Sequence, residues 1–474
     1  MKETDLKSQL ELLLSEEEAR DFYKRGPEAV IFKLLELSKR IKEMESQIPV
    51  SHSSTPSSQI PVYKKPSAPR SRKKPGQKKG HEGTRRKAPP QIDRHETHTL
   101  ESCPHCGNQD LKVTRKRKRV IEDIKVSEPE AVEHEIEGSW CTTCKKIVEP
   151  VVVDALPKAT IGHRVVALTA WLHYGLGNTL SQILEVFNYH LQFKLSAGGL
   201  VQMWYRIQEI LYKWYVQIGD EAKKSTYLHA DESGWRVNGK THWLWCFTNK
   251  TLTYYLIDRC RGSPVLFKFF GEVFNGCLIT DFWRAYGMIR TESRQYCLAH
   301  LMREIHDVDK RNDSEDWCGF SKKLRRILGD ALRLIVKRDG LSHPEYERKA
   351  QRIEDRLDLL LFGHGSDDSD VKRIADRLCR SLEGIFTFLY KPEVDPTNNQ
   401  AEREIRPAVV IRKNSLGNRS EKGANCQAVL MSIYRTLKRR GLNPIDTVVD
   451  ALREYVKTGV LPSLPTSRGY SLTH

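Results

Sequence analysis

Apolar side chains recur at Val30, Leu34, Leu37, Ile41, Met44 and Ile48 in alternating steps of four and three, with Lys, Arg and Glu between them. The spacing predicts an N-terminal helix within residues 1–50. Its seam is short for a coiled coil and serves either self-association or packing on the chain's own core. The periodicity ends at Ser51. From there to about residue 92 Ser, Pro, Lys and Arg follow one another with too little apolar surface to offset the cost of ordering the chain, so a flexible basic linker is expected. Beyond it, Val113 to Val126 and Ala131 to Trp140 alternate like strands. Helical spacing takes over from Ile161 to about Ile218, through Val165, Leu168 and Leu172, then Ile183, Val186 and Phe187, then Leu200, Trp204 and Ile207, with Ser196 as N-cap of the last helix. A helix, a turn and a capped helix after Lys194 fit a helix-turn-helix that reads DNA, and fit a simple helical bundle equally well.

A strand pattern begins at Tyr227 and runs through Asp231 to Val237, where Asn238-Gly239 tolerates positive φ at both positions and predicts a tight hairpin. Trp243, Trp245 and Phe247 share one face of the returning strand, and Leu252 to Ile257 completes an antiparallel meander. After a linking segment from Arg259 to Gly276, Cys277 to Asp281 reads as a short buried strand ending in an acid, a crossover to a parallel neighbour of the first strand. Leu324, Ile327, Leu328, Leu332 and Ile335, then Ile353, Leu357 and Leu360, then Ile374, Leu378 and Leu382, predict a helical insertion in the 120 residues between Asp281 and Glu402.

At 474 residues the chain has material for about three domains, and 39% hydrophobic with 29% charged residues is globular composition. No run approaches the ~18 apolar residues of a membrane span, and the polar, acidic start Met1-Lys2-Glu3-Thr4-Asp5 does not look like a secretory signal. A soluble cytoplasmic protein is the expectation. Lys and Arg exceed Asp and Glu by 78 to 61, a formal charge of +17 that points to a polyanionic partner, most simply nucleic acid. Eleven Lys and Arg against Glu82 alone put +10 of that charge between Pro61 and Pro90, with Lys73, Lys74, Arg85 and Arg86 as candidate DNA contacts and a solvated spacer as the plain alternative.

Cys103-Pro-His-Cys106 and Cys141-Thr-Thr-Cys144 are two CxxC knuckles separated by a hairpin-length insert. Each places two thiolates on one side of a tight turn, and together they complete a tetrahedral four-sulfur shell suited to one structural Zn²⁺. His105 lies inside a turn and is a poorer ligand. Nothing thioredoxin-like surrounds either pair, which argues against redox chemistry, and the other cysteines, such as Cys246, Cys260 and Cys379, sit in apolar segments like buried thiols.

If the fourth strand lies beside the first, Asp231 and Asp281 project toward one point, and two close carboxylates favour cations between them. A pair of Mg²⁺ ions about 4 Å apart would satisfy them and clamp a phosphodiester for in-line attack. For either acid alone, a strand-end cap is the competing role. Glu402 is the third candidate. Asn399-x-x-Glu402 also fits a capping box, Glu404 is the neighbouring alternative on another helical face, and Pro407 is expected to kink or end the helix there.

HADESGW at 229–235, Thr280 to Tyr286, Cys297-x-Ala299-His300 and NNxAERxIRP at 398–407 resemble the transposases of the IS66 insertion-sequence family, and the resemblance extends over nearly the whole chain. It implies an RNase H-like catalytic domain with Asp231, Asp281 and Glu402 as the DDE metal ligands, two Mg²⁺ or Mn²⁺ per site, and DNA as partner, both the element's terminal inverted repeats and the target. Gln400, Leu298 and Phe282 depart from the family's usual Pro, Trp and Gly without touching those three acids. One ion would lower the pKa of the water that attacks the phosphodiester while the other stabilises the leaving 3′ oxygen, and the freed 3′-OH would then join target DNA by direct transesterification. His300, Arg303, Arg403, Arg406, Arg412 and Lys413 are the candidate phosphate contacts. A dimer or larger assembly on DNA is expected, with accessory proteins encoded by the element as further partners. A zinc-containing DNA-binding regulator without catalysis, and an RNase H-like nuclease that cuts without joining, are the competing functions.

The fold class expected is therefore multidomain α+β/α/β. Its parts are an N-terminal helix (1–50), basic linker (51–92), zinc module (93–156) and helical, HTH-like segment (157–222). There follow the catalytic domain in two parts (223–305 and 393–440) around the helical insertion (306–392), and a C-terminal helical tail (441–474).

Overall fold

A computed structural model of the chain describes residues 91–466 except 103, 111, 113, 115, 122–128 and 364, and nearer the N-terminus residues 20, 23–27, 30, 31, 33 and 35. Of the N-terminal seam, Val30 is described, helical and half-buried; Leu34, Leu37, Ile41, Met44 and Ile48 lie outside the described residues, as do Lys73, Lys74, Arg85 and Arg86 of the basic segment. No helix among the described residues is long and apolar enough to cross a membrane. The chain divides into two compact units: Asp281–Trp283 and Tyr296–Leu389, grouped with Met1–Pro61, form one, and Val62–Thr280, Arg284–Gln295 and Tyr390–His474 form the other.

The larger unit opens with an antiparallel hairpin, β1 (Ser139–Cys141) and β2 (Lys146–Val148). The alternation expected to give strands before it does not do so among the described residues. Val120, Ile121, Val132 and Ile136 are exposed there, and an alternating segment with no layer to cover its apolar face gains little from pairing. Next come α1 (His163–Ala170), continued by a π-helical turn at Trp171–Gly175, and α2 (Leu180–Glu185), continued by another at Val186–His190. Then α3 (Ala197–Lys223) starts at Ser196, whose hydroxyl accepts from the Gly199 amide at 3.1 Å. This helix buries Leu200, Trp204, Ile207, Leu211, Trp214 and Ile218 along one face.

The sheet follows: β3 (Tyr227–Val237), β4 (Lys240–Thr248), β5 (Thr253–Asp258), then α4 (Ser263–Phe270), β6 (Val273–Thr280) and β7 (Arg290–Tyr296). Its order is β5-β4-β3-β6-β7. Asn238 and Gly239 turn the first hairpin with φ of 48° and 72°, as their sequence predicts. The crossover through α4 returns β6 parallel to β3, paired from Tyr227↔Cys277 to His229↔Ile279.

The smaller unit is helical: α5 (Leu298–Asp309), α6 (Glu315–Val336), α7 (His343–Phe362), α8 (Ser369–Arg380) and the short α9 (Thr387–Tyr390). Leu324, Ile327 and Leu328 of α6, Ile353 and Leu357 of α7, and Ile374 and Leu378 of α8 are buried, the faces their spacing predicts. Buried Glu304 on α5 receives Arg373 and Arg377 of α8, and Arg311 binds Asp370 through two hydrogen bonds of 2.5 and 2.8 Å.

Three helices complete the larger unit: α10 (Asn399–Ser415), α11 (Glu421–Arg439) and α12 (Pro444–Thr458). The helix α11 lies on β5, where Ser432 Oγ accepts from the Tyr255 amide at 2.9 Å and Thr436 Oγ1 accepts from the Thr253 amide at 3.1 Å. The long α3 joins the same core through Tyr215, whose hydroxyl donates to the Tyr255 carbonyl at 2.8 Å.

Candidate active site

Asp231 and Glu232 are adjacent on β3, so the pleat sends their side chains to opposite faces. Asp231 is half-buried, and one of its carboxylate oxygens accepts from the Glu232 amide at 2.9 Å. Glu232 is buried in a polar knot: Arg261 donates to Oε1 from Nε at 3.2 Å and Nη2 at 3.0 Å, and the Tyr286 hydroxyl donates to Oε2 at 2.6 Å. The Arg261 guanidinium also lies 4.5 Å from the Trp243 ring centre. Glu232 therefore anchors the sheet while Asp231 is turned to the other side.

Glu402 enters from α10, and its neighbourhood differs from the sequence expectation in three ways. The helix starts at Asn399, with Asn398 as N-cap, and Asn398 makes no side-chain capping bond. The expected box between Asn399 and Glu402 is therefore not formed, because Asn399 already lies inside the helix. Asn398, 1% exposed, instead donates from Nδ2 to the Ala230 carbonyl at 2.8 Å and presents Oδ1 to His229 Nδ1 at 3.1 Å. Secondly, Glu404 is a structural acid: it is buried and paired with Arg435 at 2.7 Å and Arg439 at 2.8 Å, both on α11. Thirdly, Pro407 neither ends nor divides α10, which continues to Ser415.

The far end of α10 is fastened to the same strand. Arg412 hydrogen-bonds the Ser233 hydroxyl at 3.0 Å and the Gly234 carbonyl, and Trp235 Nε1 donates to Asn418 Oδ1 at 2.7 Å. The Asn418 amide donates to the Arg236 carbonyl at 2.9 Å. Gly417 permits this approach: its φ is +106°, and a Cβ there would stand 2.3 Å from the Arg236 carbonyl oxygen. Of the cations proposed from sequence, Arg412 is thus half-buried and engaged with β3, whereas Arg403, Arg406 and Lys413 are exposed along the outer side of α10. Half-buried Glu402 sits in the first turn of that helix.

Asp281 follows β6 directly and is grouped with the helical unit, as are His300 and Arg303. Its Oδ1 accepts from the Trp283 amide at 2.9 Å, and the next residue, Phe282, stacks on Tyr296 at 4.8 Å beneath the Arg377 guanidinium. His300 is half-buried in the first turn of α5; Arg303 is exposed there and donates from Nε to the Ala299 carbonyl at 3.3 Å.

Of the two knuckles, Cys103 lies outside the described residues. Cys141 and Cys144 flank the tight β1–β2 turn, where the Cys144 amide donates to Cys141 Sγ at 3.3 Å. Hydrogen bonding from Cys144 holds the Cys141 thiol below its ordinary pKa, which favours the thiolate a metal requires. Cys106 is exposed in a second turn, followed by Gly107 with φ of 75°.

The sequence reading gave no role to His229, Asn398 or Asp395. His229 is fully buried, and its Nε2 lies 3.5 Å from Asp395 Oδ2. Two of the three stand inside motifs already singled out, HADESGW and NNxAERxIRP, which was the available signal.

Three proteins of Sinorhizobium fredii (strain NBRC 101917 / NGR234) are similar to this chain. Uncharacterized protein y4qI is 27% identical over 264 residues, covering 49% of this chain and 48% of its own length. Uncharacterized protein y4hP is 22% identical over 394 residues, 75% of this chain and 67% of that protein. Uncharacterized protein y4jD is 26% identical over 199 residues, 39% of this chain and 38% of that protein. The chain thus spans about half the length of y4qI and two thirds of y4hP. The model of the transposase IS66 family matches residues 158–426, which include β3, β6, the helical unit and α10 with all three candidate acids. On that match, over more than half of its length, the chain belongs to the IS66 family of transposases.

Proposed function

We propose that this transposase is a DDE enzyme that binds the ends of its element, cleaves them to free 3′-OH groups and joins these to target DNA. The observation that carries the reading is the attachment of α10 to β3 at Asn398 and Ala230, which brings the helix bearing Glu402 to the strand bearing Asp231. The sheet order supports an RNase H-like domain: an antiparallel meander of the first three strands, with the fourth strand parallel to the first. The β3–β6 pairing reaches His229↔Ile279, and two residues further along each strand's sequence stands an acid, Asp231 or Asp281. Three carboxylates are hard oxygen donors that fit Mg²⁺ or Mn²⁺, and Asp231, Asp281 and Glu402 would hold two such ions. Bound there, the ions supply an attacking water of lowered pKa and a counter-charge for the leaving 3′ oxygen.

The chain's own part is to hold and orient DNA. Arg403, Arg406 and Lys413 present cations along α10 on the side away from its buried face, suited to phosphates, while Arg412 keeps the helix on β3. His300 and Arg303 at the start of α5 are further proposed phosphate contacts, and Lys73, Lys74, Arg85 and Arg86 would add sequence-independent attraction. The cysteine knuckles are proposed to hold one structural Zn²⁺, and two element ends require at least a dimer on DNA.

Incubating the protein with Mg²⁺, DNA carrying the element ends and a supercoiled target tests the reading. Joined end-target products are expected. Nicked ends without joining would favour a nuclease, and binding without any cut a regulator; either outcome overturns the proposal.

A further inference from the structure

Asn398 is joined to both ends of the same short path. Its side chain reaches the Ala230 carbonyl, one residue before Asp231, and its own carbonyl accepts from the Glu402 amide at 3.2 Å. Because Nδ2 donates to a carbonyl that can only accept, Oδ1 is the atom facing His229, and His229 Nδ1 therefore carries a proton and donates it to Oδ1. The other ring nitrogen, Nε2, lies 3.5 Å from Asp395 Oδ2, within ion-pairing distance of that carboxylate. His229 and Asn398 are both buried, and the connection lies where the β3–β6 ladder ends.

We propose that His229, Asn398 and Asp395 are positioning residues that fix the separation of Asp231 and Glu402, and with it the affinity of the site for divalent ions. Asn398 gives both acids one common support. His229 orients the Asn398 amide, and Asp395 orients the imidazole. This inference rests on the DDE reading above. Partners of this kind, one bond behind a ligand, govern how tightly a metal is held more than whether the protein folds.

The test is Mn²⁺ binding to the full chain without DNA, followed by electron paramagnetic resonance, alongside cleavage of end DNA as a function of Mg²⁺ concentration. Asn398→Asp keeps the shape and the contact to His229 but sets an oxygen against the Ala230 carbonyl. In folded protein it is expected to weaken Mn²⁺ binding about tenfold or more and to raise the Mg²⁺ requirement for cleavage in parallel. His229→Asn retains a donor near the Nδ1 position and is expected to bind Mn²⁺ within about threefold of wild type, whereas His229→Gln, which places its amide toward Asp395 instead, is expected to behave like Asn398→Asp. These two keep the proposal falsifiable if Asn398→Asp does not fold.

Wild-type Mn²⁺ binding that is lost in Asp231→Asn and Glu402→Gln but unchanged in Asn398→Asp and His229→Gln would overturn the positioning role and leave the DDE reading standing. Binding that is absent from the wild type, or indifferent to Asp231→Asn and Glu402→Gln, would overturn both.

Discussion

Two pairs of acids show how much of the chemistry depends on single residues. Asp231 and Glu232 are neighbours, as are Glu402 and Glu404 at a spacing of two, and in each pair one member is fixed by arginine. Glu232 meets Arg261, and Glu404 meets Arg435 and Arg439. The alternation of β3 was legible in the sequence, so the two faces of Asp231 and Glu232 were too. Which face carried the cation was not, since Arg261 arrives from 29 positions away. For Glu404, sequence offered a helical face but not the guanidinium groups of another helix. Removing one partner from a buried pair leaves an uncompensated charge, so Glu404→Ala is expected to lower stability by about 3–5 kcal/mol because Arg435 and Arg439 lose their shared carboxylate. Denaturant unfolding followed by tryptophan fluorescence measures it. Glu402→Gln, at a half-buried position, is expected to unfold at nearly the wild-type denaturant concentration.

At the level of elements, the meander, its Asn238-Gly239 turn and the parallel return of β6 were legible because alternation and turn chemistry are local. The beginning of α10 was not. Asn399 and Glu402 have capping-box spacing, yet the competing tertiary bonds of Asn398 to β3 move the start of the helix by one position. Pro407 does not end the helix for a related reason: packing of Ala401, Ile405, Ala408 and Ile411 carries it through a residue that disfavours it. Caps that keep local partners behave as their sequence suggests. Asp368 begins α8 by accepting from the Asp370 and Val371 amides, and the Ser314 hydroxyl and Asn312 amide also bind it. Those hydrogen bonds, Ser314 first, lower its pKa to about 2. A carboxyl depressed on folding adds stability that is present above the unfolded value near 3.9 and is lost as pH falls toward the folded value. Asp368→Ala is accordingly expected to destabilise the helical unit by about 1 kcal/mol at neutral pH, with the difference from wild type shrinking as pH falls from about 4 to 2. Circular dichroism melts across that range provide the check.

For the whole molecule, sequence showed the order of parts more readily than their packing. The helical stretch between Asp281 and Glu402 was evident from periodicity, and so were the two cysteine knuckles. Of the strands expected between those knuckles, only the end of the second, Ser139 and Trp140 in β1, is formed among the described residues, because alternation alone does not supply a covering layer. The turn geometry at Cys141 and Cys144 fits a metal knuckle, and the protein is expected to carry about one Zn²⁺ per chain, with Cys141→Ser losing it. Elemental analysis of the purified protein determines the stoichiometry, and a folded wild type without zinc would remove that module from the account.

Asp231, Asp281 and Glu402 stand far apart in chain order, and the proposed chemistry needs all three. The most direct test is the rate of Mg²⁺-dependent cleavage at element ends for Asp231→Asn, Asp281→Asn and Glu402→Gln, each first shown to fold and to bind the same DNA. Each variant is expected to lose at least about a thousandfold in rate. Cleavage within about tenfold of wild type by any one of them would contradict the proposed chemistry.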